Sequence, residues 1–194
     1  MAWYTQYLDN ANVRAVTWYS WGLIASFGFE DLCIVVQDGW GQLSRFNIST
    51  PWYAGVYGAM ALAAVGISVW TAYIGLLFFR AELPGLPPAY LWGIRLGIVV
   101  FVIFSMQGLV MGSRLTHTID GSDGSPGLPA VNWSRTYGDL RVAHFMGMHA
   151  LQVLPILSHY VLRNVTLTVL AGLLYGAITT LVFIRAMLRK PLFR

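Results

Sequence analysis

One segment of the chain, residues 137–160, reads YGDLRVAHFMGMHALQVLPILSHY. It is long and apolar enough to cross a bilayer, for which an α-helix needs about 20 mainly apolar residues. The same segment carries Asp139, Arg141, His144, His149, Gln152 and His159. Because such groups are costly at membrane depth, a spanning helix that keeps them is a candidate functional site.

The composition around this segment is that of an integral membrane protein. Of 194 residues, 57% are hydrophobic and 10% are charged, whereas soluble domains have about 25% charged residues. The net charge of +4 comes from basic residues placed singly at helix ends and in the tail, a pattern of membrane topology. We therefore expect a lipid bilayer as the environment and no nucleic-acid partner.

Hydropathy predicts an all-α polytopic bundle of five spanning helices in a single transmembrane domain, residues 1–194. The predicted helices cover residues 15–37, 52–79, 89–112, 138–162 and 165–187. Glu30 and Asp31 interrupt the first, so a re-entrant or interfacial segment is the alternative there. The link at residues 163–164 is so short that the fourth and fifth helices must be antiparallel neighbours.

The basic residues also predict an orientation. With five spans, the first and third loops and the C-terminus share one face, which carries most of the arginines, so the positive-inside rule makes that face cytoplasmic. The N-terminal residues lack a basic stretch followed by an apolar core and a cleavage site, so we expect no cleaved signal peptide.

Rotation and depth bring several polar residues to one level of the membrane. At 100° per residue, most polar side chains of the fourth helix share one stripe, which is expected to face protein or water. Glu30 and Gln107 lie at a similar depth on the first and third helices. The sequence thus predicts a polar pocket capped by loop 113–137, with ligand-binding residues Glu30, Gln107, Arg141, His144, His149 and Gln152.

Four uses of such a pocket remain open. A metal ion could take Glu30, His144 and His149 as ligands, although the histidines are five residues apart, a poorer spacing than i, i+4. A b-type haem would need a second ligand such as His117. A quinone-like or lipid ligand could exchange protons with histidine and Glu30. Lastly, the polar groups could serve helix packing alone.

Several reaction classes are excluded by missing signatures. The sequence shows no nucleophile elbow, P-loop or dinucleotide fingerprint. Its only lysine, Lys190, lies in the tail, which excludes a Schiff base within the bundle. The sequence identifies no enzymatic reaction and no specific cofactor.

Two motifs resemble those of a known group of proteins. The stretches LSRFNISTP (43–51) and PGLPAVNWSRTYGDLRVAHFMGMHALQVLP (126–155) are similar to motifs of uncharacterised bacterial multi-pass membrane proteins. The resemblance implies a location in the bacterial inner membrane and transfers no activity. Some members of the group have histidine where this chain has Arg45. Many are longer, which implies that another subunit or a second copy completes the bundle here.

Two functional hypotheses follow. The first is a redox-associated component of a membrane complex that binds a quinone-like, lipid or metal ligand in the polar pocket. The second is a structural accessory or assembly subunit with no chemistry of its own.

Overall fold

The computed structural model describes residues 13–83, 85–124 and 126–193, and this part of the chain is almost entirely helical. Its five long helices are α1 (Val13–Gly39), α2 (Pro51–Arg80), α3 (Pro88–Arg114), α4 (Leu140–Leu157) and α5 (Val165–Met187). A π-helical turn, Ser158–Leu162, continues α4. All five helices, with α4 taken together with its π-helical turn, are long and apolar enough to cross a membrane. The predicted all-α, multi-pass architecture is confirmed, and the signal-peptide expectation concerns residues 1–12, outside the described residues.

The first helix is continuous from Val13 to Gly39. Glu30 and Asp31 do not break it, because an α-helix bonds its own backbone whatever the side chains are. Residues Thr17–Gly39 meet the length and hydropathy of a membrane span.

By its internal contacts the chain divides into two compact units, Met1–Leu83 and Pro84–Arg194. In the first unit, α1 packs against α2 through Tyr19, whose hydroxyl lies 2.9 Å from Thr71 Oγ1. The Tyr19 ring also meets the edge of Trp70. The single-domain organisation over residues 1–194 stays a prediction.

The second unit is built from α3, α4 and α5, each of which contacts the other two. Helices α3 and α4 approach each other closely because the glycines at their contact have no side chain. A Cβ atom on Gly97 would lie 2.9 Å from the Ala150 carbonyl oxygen. A Cβ atom on Gly147 would overlap the side chain of Phe104. The predicted neighbour relation of the two helices joined at residues 163–164 is confirmed by the α4–α5 contact.

Two apolar clusters are found among the described residues of this unit. The larger contains Val100, Phe104, Val142, Ala143, Ala150, Leu154 and Val182. The smaller, near the loop, contains Ile119, Leu140 and Ala186.

The segment between α3 and α4 is ordered by a short antiparallel ribbon. Strand β1 (Thr118–Ile119) pairs with β2 (Gly138–Asp139), with Thr118 opposite Asp139. The fourth helix therefore begins at Leu140 and not at the expected residue 138. A Cβ atom on Gly138 would overlap the Ala186 carbonyl, so the ribbon rests directly on the end of α5.

Candidate functional site

The six side chains predicted to form one pocket belong to different parts of the chain. Glu30 lies on α1 in the first unit, whereas Gln107, Arg141, His144, His149 and Gln152 lie in the second. Glu30 is half-buried and interacts electrostatically with Arg45 and Asp31. The binding role assigned to these residues stays a prediction.

Arg141 is held by the loop that precedes it. Its backbone N–H and its Nε atom each donate to Asp139 Oδ1 at 3.0 Å, and its Nη2 atom donates to Asp139 Oδ2 at 2.6 Å. The same Nη2 atom donates to the Asn132 carbonyl at 2.6 Å. The Arg141 side chain thus ties α4 to the loop.

Asp139 is the centre of this arrangement and is also the N-cap of α4. Its side chain is 2% exposed and accepts a fourth hydrogen bond from Ser134 N at 2.9 Å. Burial alone would raise the pKa of Asp139, but the hydrogen bonds from Arg141 and Ser134 and the charge of Arg141 outweigh it, so the pKa lies below its ordinary value. The carboxylate is therefore a buried, ionised anchor of the loop.

A second carboxylate organises the start of the loop. Asp123 accepts from Thr116 Oγ1 at 2.7 Å and from the backbone N–H groups of His117 and Thr118 at 3.2 and 3.1 Å. It also contacts His117 Nδ1 and Thr118 Oγ1. Burial would raise the pKa of Asp123, yet these hydrogen bonds and the His117 charge lower it. His117, the possible second haem ligand, is thus engaged within the loop.

His144 faces α3. Because a carbonyl oxygen only accepts, the contact of 2.7 Å between His144 Nδ1 and the Phe104 oxygen requires Nδ1 to carry the proton. In the neutral ring this leaves Nε2 as the acceptor. Gly108 makes room for the imidazole, since a Cβ atom there would lie 3.1 Å from His144 Cε1.

Gln107 is sealed into the second unit. It lies seven residues after Val100 and so returns to nearly the same side of α3, and it is only 8% exposed. Neither its amide nitrogen nor its amide oxygen has a hydrogen-bond partner among the described residues. Burying an amide without hydrogen-bond partners costs about 1–3 kcal/mol, so the burial of the Gln107 side chain lowers the free energy of unfolding.

His149 and Gln152 are both exposed. They lie on the side of α4 opposite the core residues Gly147 and Leu154. His149 Nδ1 lies 2.8 Å from the Phe145 carbonyl and must donate to it, which leaves Nε2 as an outward acceptor in the neutral ring. At 1.5 Å per residue, His149 is about 14 Å along the helix from Leu140, near mid-membrane depth.

No group of three or more histidine, cysteine or acidic side chains lies close enough to hold a metal ion, within the three described ranges. The His144 and His149 rings bond to different carbonyls, those of Phe104 and Phe145, and therefore occupy different surroundings.

A feature that the sequence did not predict lies at the other end of the second unit. A cavity of about 560 Å³ opens between the start of α3, the π-helical turn and the start of α5. Arg163 and His159 line it. The available signal was Pro155, since a proline inside a helix disturbs the turns around it.

No known protein family, curated protein or solved structure matches the chain.

Proposed function

We propose that this protein is a structural subunit of a membrane assembly and that it self-associates through the exposed face of α4. The observation that carries the proposal is the exposure of His149 and Gln152 at membrane depth. Of the two hypotheses from the sequence, this is the accessory or assembly subunit.

The cost of lipid exposure motivates a protein partner. A polar group that faces hydrocarbon without a hydrogen bond costs several kcal/mol, so intramembrane polar side chains normally face protein or water. His149 and Gln152 are both exposed and lie on the side of α4 turned away from the core residues Gly147 and Leu154. A second helix packed along α4 would give both side chains partners.

A second copy of the chain has the required chemistry. His149 offers an acceptor at Nε2, and Gln152 offers two donors and an acceptor. Two copies inserted in the same orientation are related by a two-fold axis along the membrane normal, which places identical residues at identical depth. The two positions are one helical turn apart, about 4.5 Å, so each Gln152 amide can donate to His149 of the other copy.

Aromatic side chains extend this face toward the loop. The Phe145 ring lies 4.0 Å from the His149 ring, and Trp133 lies 5.3 Å from Phe145 between ring centroids. Aromatic residues are enriched at protein interfaces. Arg141 contributes indirectly, since it bonds the carbonyl of Asn132, next to Trp133.

The surroundings of the other predicted site residues support a structural role over a ligand-binding one. Arg141 is engaged by Asp139, His144 is bonded to Phe104, and Gln107 is enclosed in the core. A quinone-like, lipid or metal ligand would need several of these side chains on one surface. The motif resemblance supports a location in the bacterial inner membrane.

The test is self-association in liposomes. Copies labelled with donor and acceptor fluorophores should show energy transfer. The double variant His149→Leu, Gln152→Leu should weaken association about tenfold, since it removes two symmetry-related interhelical hydrogen bonds worth about 0.6 kcal/mol each and about 1.4 kcal/mol is a factor of ten. Thr180→Leu is the matched control. The Thr180 hydroxyl already donates to the Gly176 carbonyl at 2.8 Å and needs no partner from another copy, so this substitution should leave association unchanged.

Two results would contradict the proposal. One is wild-type protein that stays monomeric at all protein-to-lipid ratios. The other is a quinone or metal that copurifies with the wild type and is lost from the double variant while association is unchanged, which would favour the ligand-binding hypothesis.

A further inference from the structure

We infer that the cavity between the start of α3, the π-helical turn and the start of α5 binds a phosphate group, carried either by a lipid headgroup or by a free anion. The cavity measures about 560 Å³, within the range of small-ligand sites. This inference is independent of the self-association proposed above, because it concerns the opposite end of the second unit from Trp133.

The charge of the lining selects an anion. Among the described residues, the ionisable side chains that line the cavity are those of Arg163 and His159, and none of the lining residues is acidic. An arginine guanidinium has a planar fork of N–H donors that matches the oxygens of a phosphate. Thr166 and Asn164 also line the cavity and add hydroxyl and amide groups. The first-turn N–H groups of α5 strengthen the preference for negative charge.

The depth of the cavity suits a phospholipid. The span Leu140–Leu162 ends and the span Val165–Met187 begins at its wall. The cavity therefore lies at the end of the apolar segments, where the headgroup phosphates of a bilayer are found. An arginine at this level can reach a headgroup while its aliphatic part stays in the apolar region.

The local backbone builds the cavity wall. The π-helical turn Ser158–Leu162 closes with the Arg163 N–H donating to the Ser158 carbonyl at 3.0 Å, and Arg163 itself adopts a left-handed conformation with φ of 48°. The His159 ring is flanked by Tyr90, at 4.9 Å between centroids, and by Tyr160, at 4.6 Å. π-helical turns are frequent at functional sites.

The experiment is a binding titration of purified full-length protein in phosphate-free maltoside detergent, followed by calorimetry. The probes are dihexanoyl phosphatidylglycerol, dihexanoyl phosphatidylcholine and inorganic phosphate. We expect phosphatidylglycerol to bind and Arg163→Gln to weaken its binding about tenfold, the size of one charged hydrogen-bonding contact. Arg135→Gln, an exposed arginine on the loop at the opposite end of the second unit, is the control and should bind like the wild type.

The probes distinguish the two sources of phosphate. Binding of phosphatidylglycerol with little competition from millimolar inorganic phosphate identifies a lipid headgroup, and equal or tighter binding of inorganic phosphate identifies a free anion. The inference is overturned if no probe binds, or if Arg163→Gln and Arg135→Gln lower the affinity equally or not at all. Should Arg163→Gln not fold, Arg163→Lys carries the test: it keeps the charge but loses the planar fork, and should weaken binding a few-fold.

Discussion

Replacing Asp139 with asparagine removes one buried charge while keeping the shape of the side chain. Asparagine caps helices as well as aspartate does, so α4 keeps its N-cap. The variant loses the ion pair with Arg141. In the wild type the Ser134 N–H and Arg141 Nη2 both donate to the Asp139 carboxylate, and in the variant an amide N–H₂ group, itself a donor, can face them. The substitution therefore isolates the electrostatic anchor of the loop.

The size of the stability loss depends on how deeply the two side chains of the ion pair are buried. Breaking a fully buried ion pair costs about 3–5 kcal/mol. The Asp139 side chain is 2% exposed but that of Arg141 is 25% exposed, so water partly hydrates the orphaned guanidinium. We expect a loss of about 2–3 kcal/mol in unfolding free energy, or about 5–10 °C in thermal midpoint for a chain of this size.

The assay combines thermal unfolding in detergent with trypsin cleavage at Arg135, an exposed loop residue. Asp139→Asn should lower the midpoint and accelerate cleavage, because the loop loses its anchor. Asp120→Asn is the matched control: its ion pair with Arg189 spans 3.4 Å and both side chains are more than half exposed, so the change should be below about 0.5 kcal/mol. Equal midpoints for the wild type and both variants would refute the anchoring role.

The lowered pKa of Asp139 also predicts how the stability difference between the wild type and Asp139→Asn changes with pH. Because folding lowers the pKa of Asp139, its stabilisation is fully present above the unfolded-state pKa of about 3.9 and is lost as the pH falls through the folded-state value. The stability difference between the wild type and Asp139→Asn should therefore shrink on acidification. A difference that grows below pH 4 would contradict this.

Two further predictions concern the core of the second unit. The side-chain polar atoms of Gln107 and the Thr168 hydroxyl are buried without partners among the described residues. Gln107→Leu and Thr168→Val should therefore each leave the free energy of unfolding unchanged or raise it by up to about 1–3 kcal/mol; a marked drop in the thermal midpoint would reveal a bonding partner. Gly147→Ala places a Cβ atom on Phe104 and should cost about 1–3 kcal/mol, whereas Gly176→Ala meets its nearest neighbour at 3.7 Å and should be neutral or stabilising in the same melting assay.

The helices could be predicted from the sequence because their determinants are local. Runs of apolar residues bounded by glycine and proline place all five, and the helix bounds differ from the expected ones by no more than a few residues. Asp139 shows the limit: its pairing with Thr118 across the ribbon depends on residues far apart in sequence. Hydropathy alone therefore extended the fourth helix over residues that form a strand.

The site was harder to predict, because helical rotation gives the angular position of each side chain but does not say which side of the helix packs against its neighbours. His144, Gln152 and His149 lie at successive angles on α4, yet only His144 is turned toward α3. Close approach at Gly97 and Gly147 fixes the covered side, and single glycines carry little signal in a sequence rich in them. The cavity at Arg163 depends on a π-helical turn, which hydropathy does not encode.

Oxidative cross-linking of Ile156→Cys tests the proposed self-association most directly. Ile156 is exposed and lies about one turn beyond Gln152 on the same side of α4, so this variant keeps the His149 and Gln152 side chains. In a Cys33→Ala background, which removes the only native cysteine, the two copies should form a disulfide-linked dimer in native membranes, because a two-fold axis beside α4 brings identical positions together. Thr180→Cys, on α5, should give no cross-linked dimer under the same oxidation. Absence of an Ile156→Cys dimer, or equal dimer formation at both positions, would contradict the α4 interface.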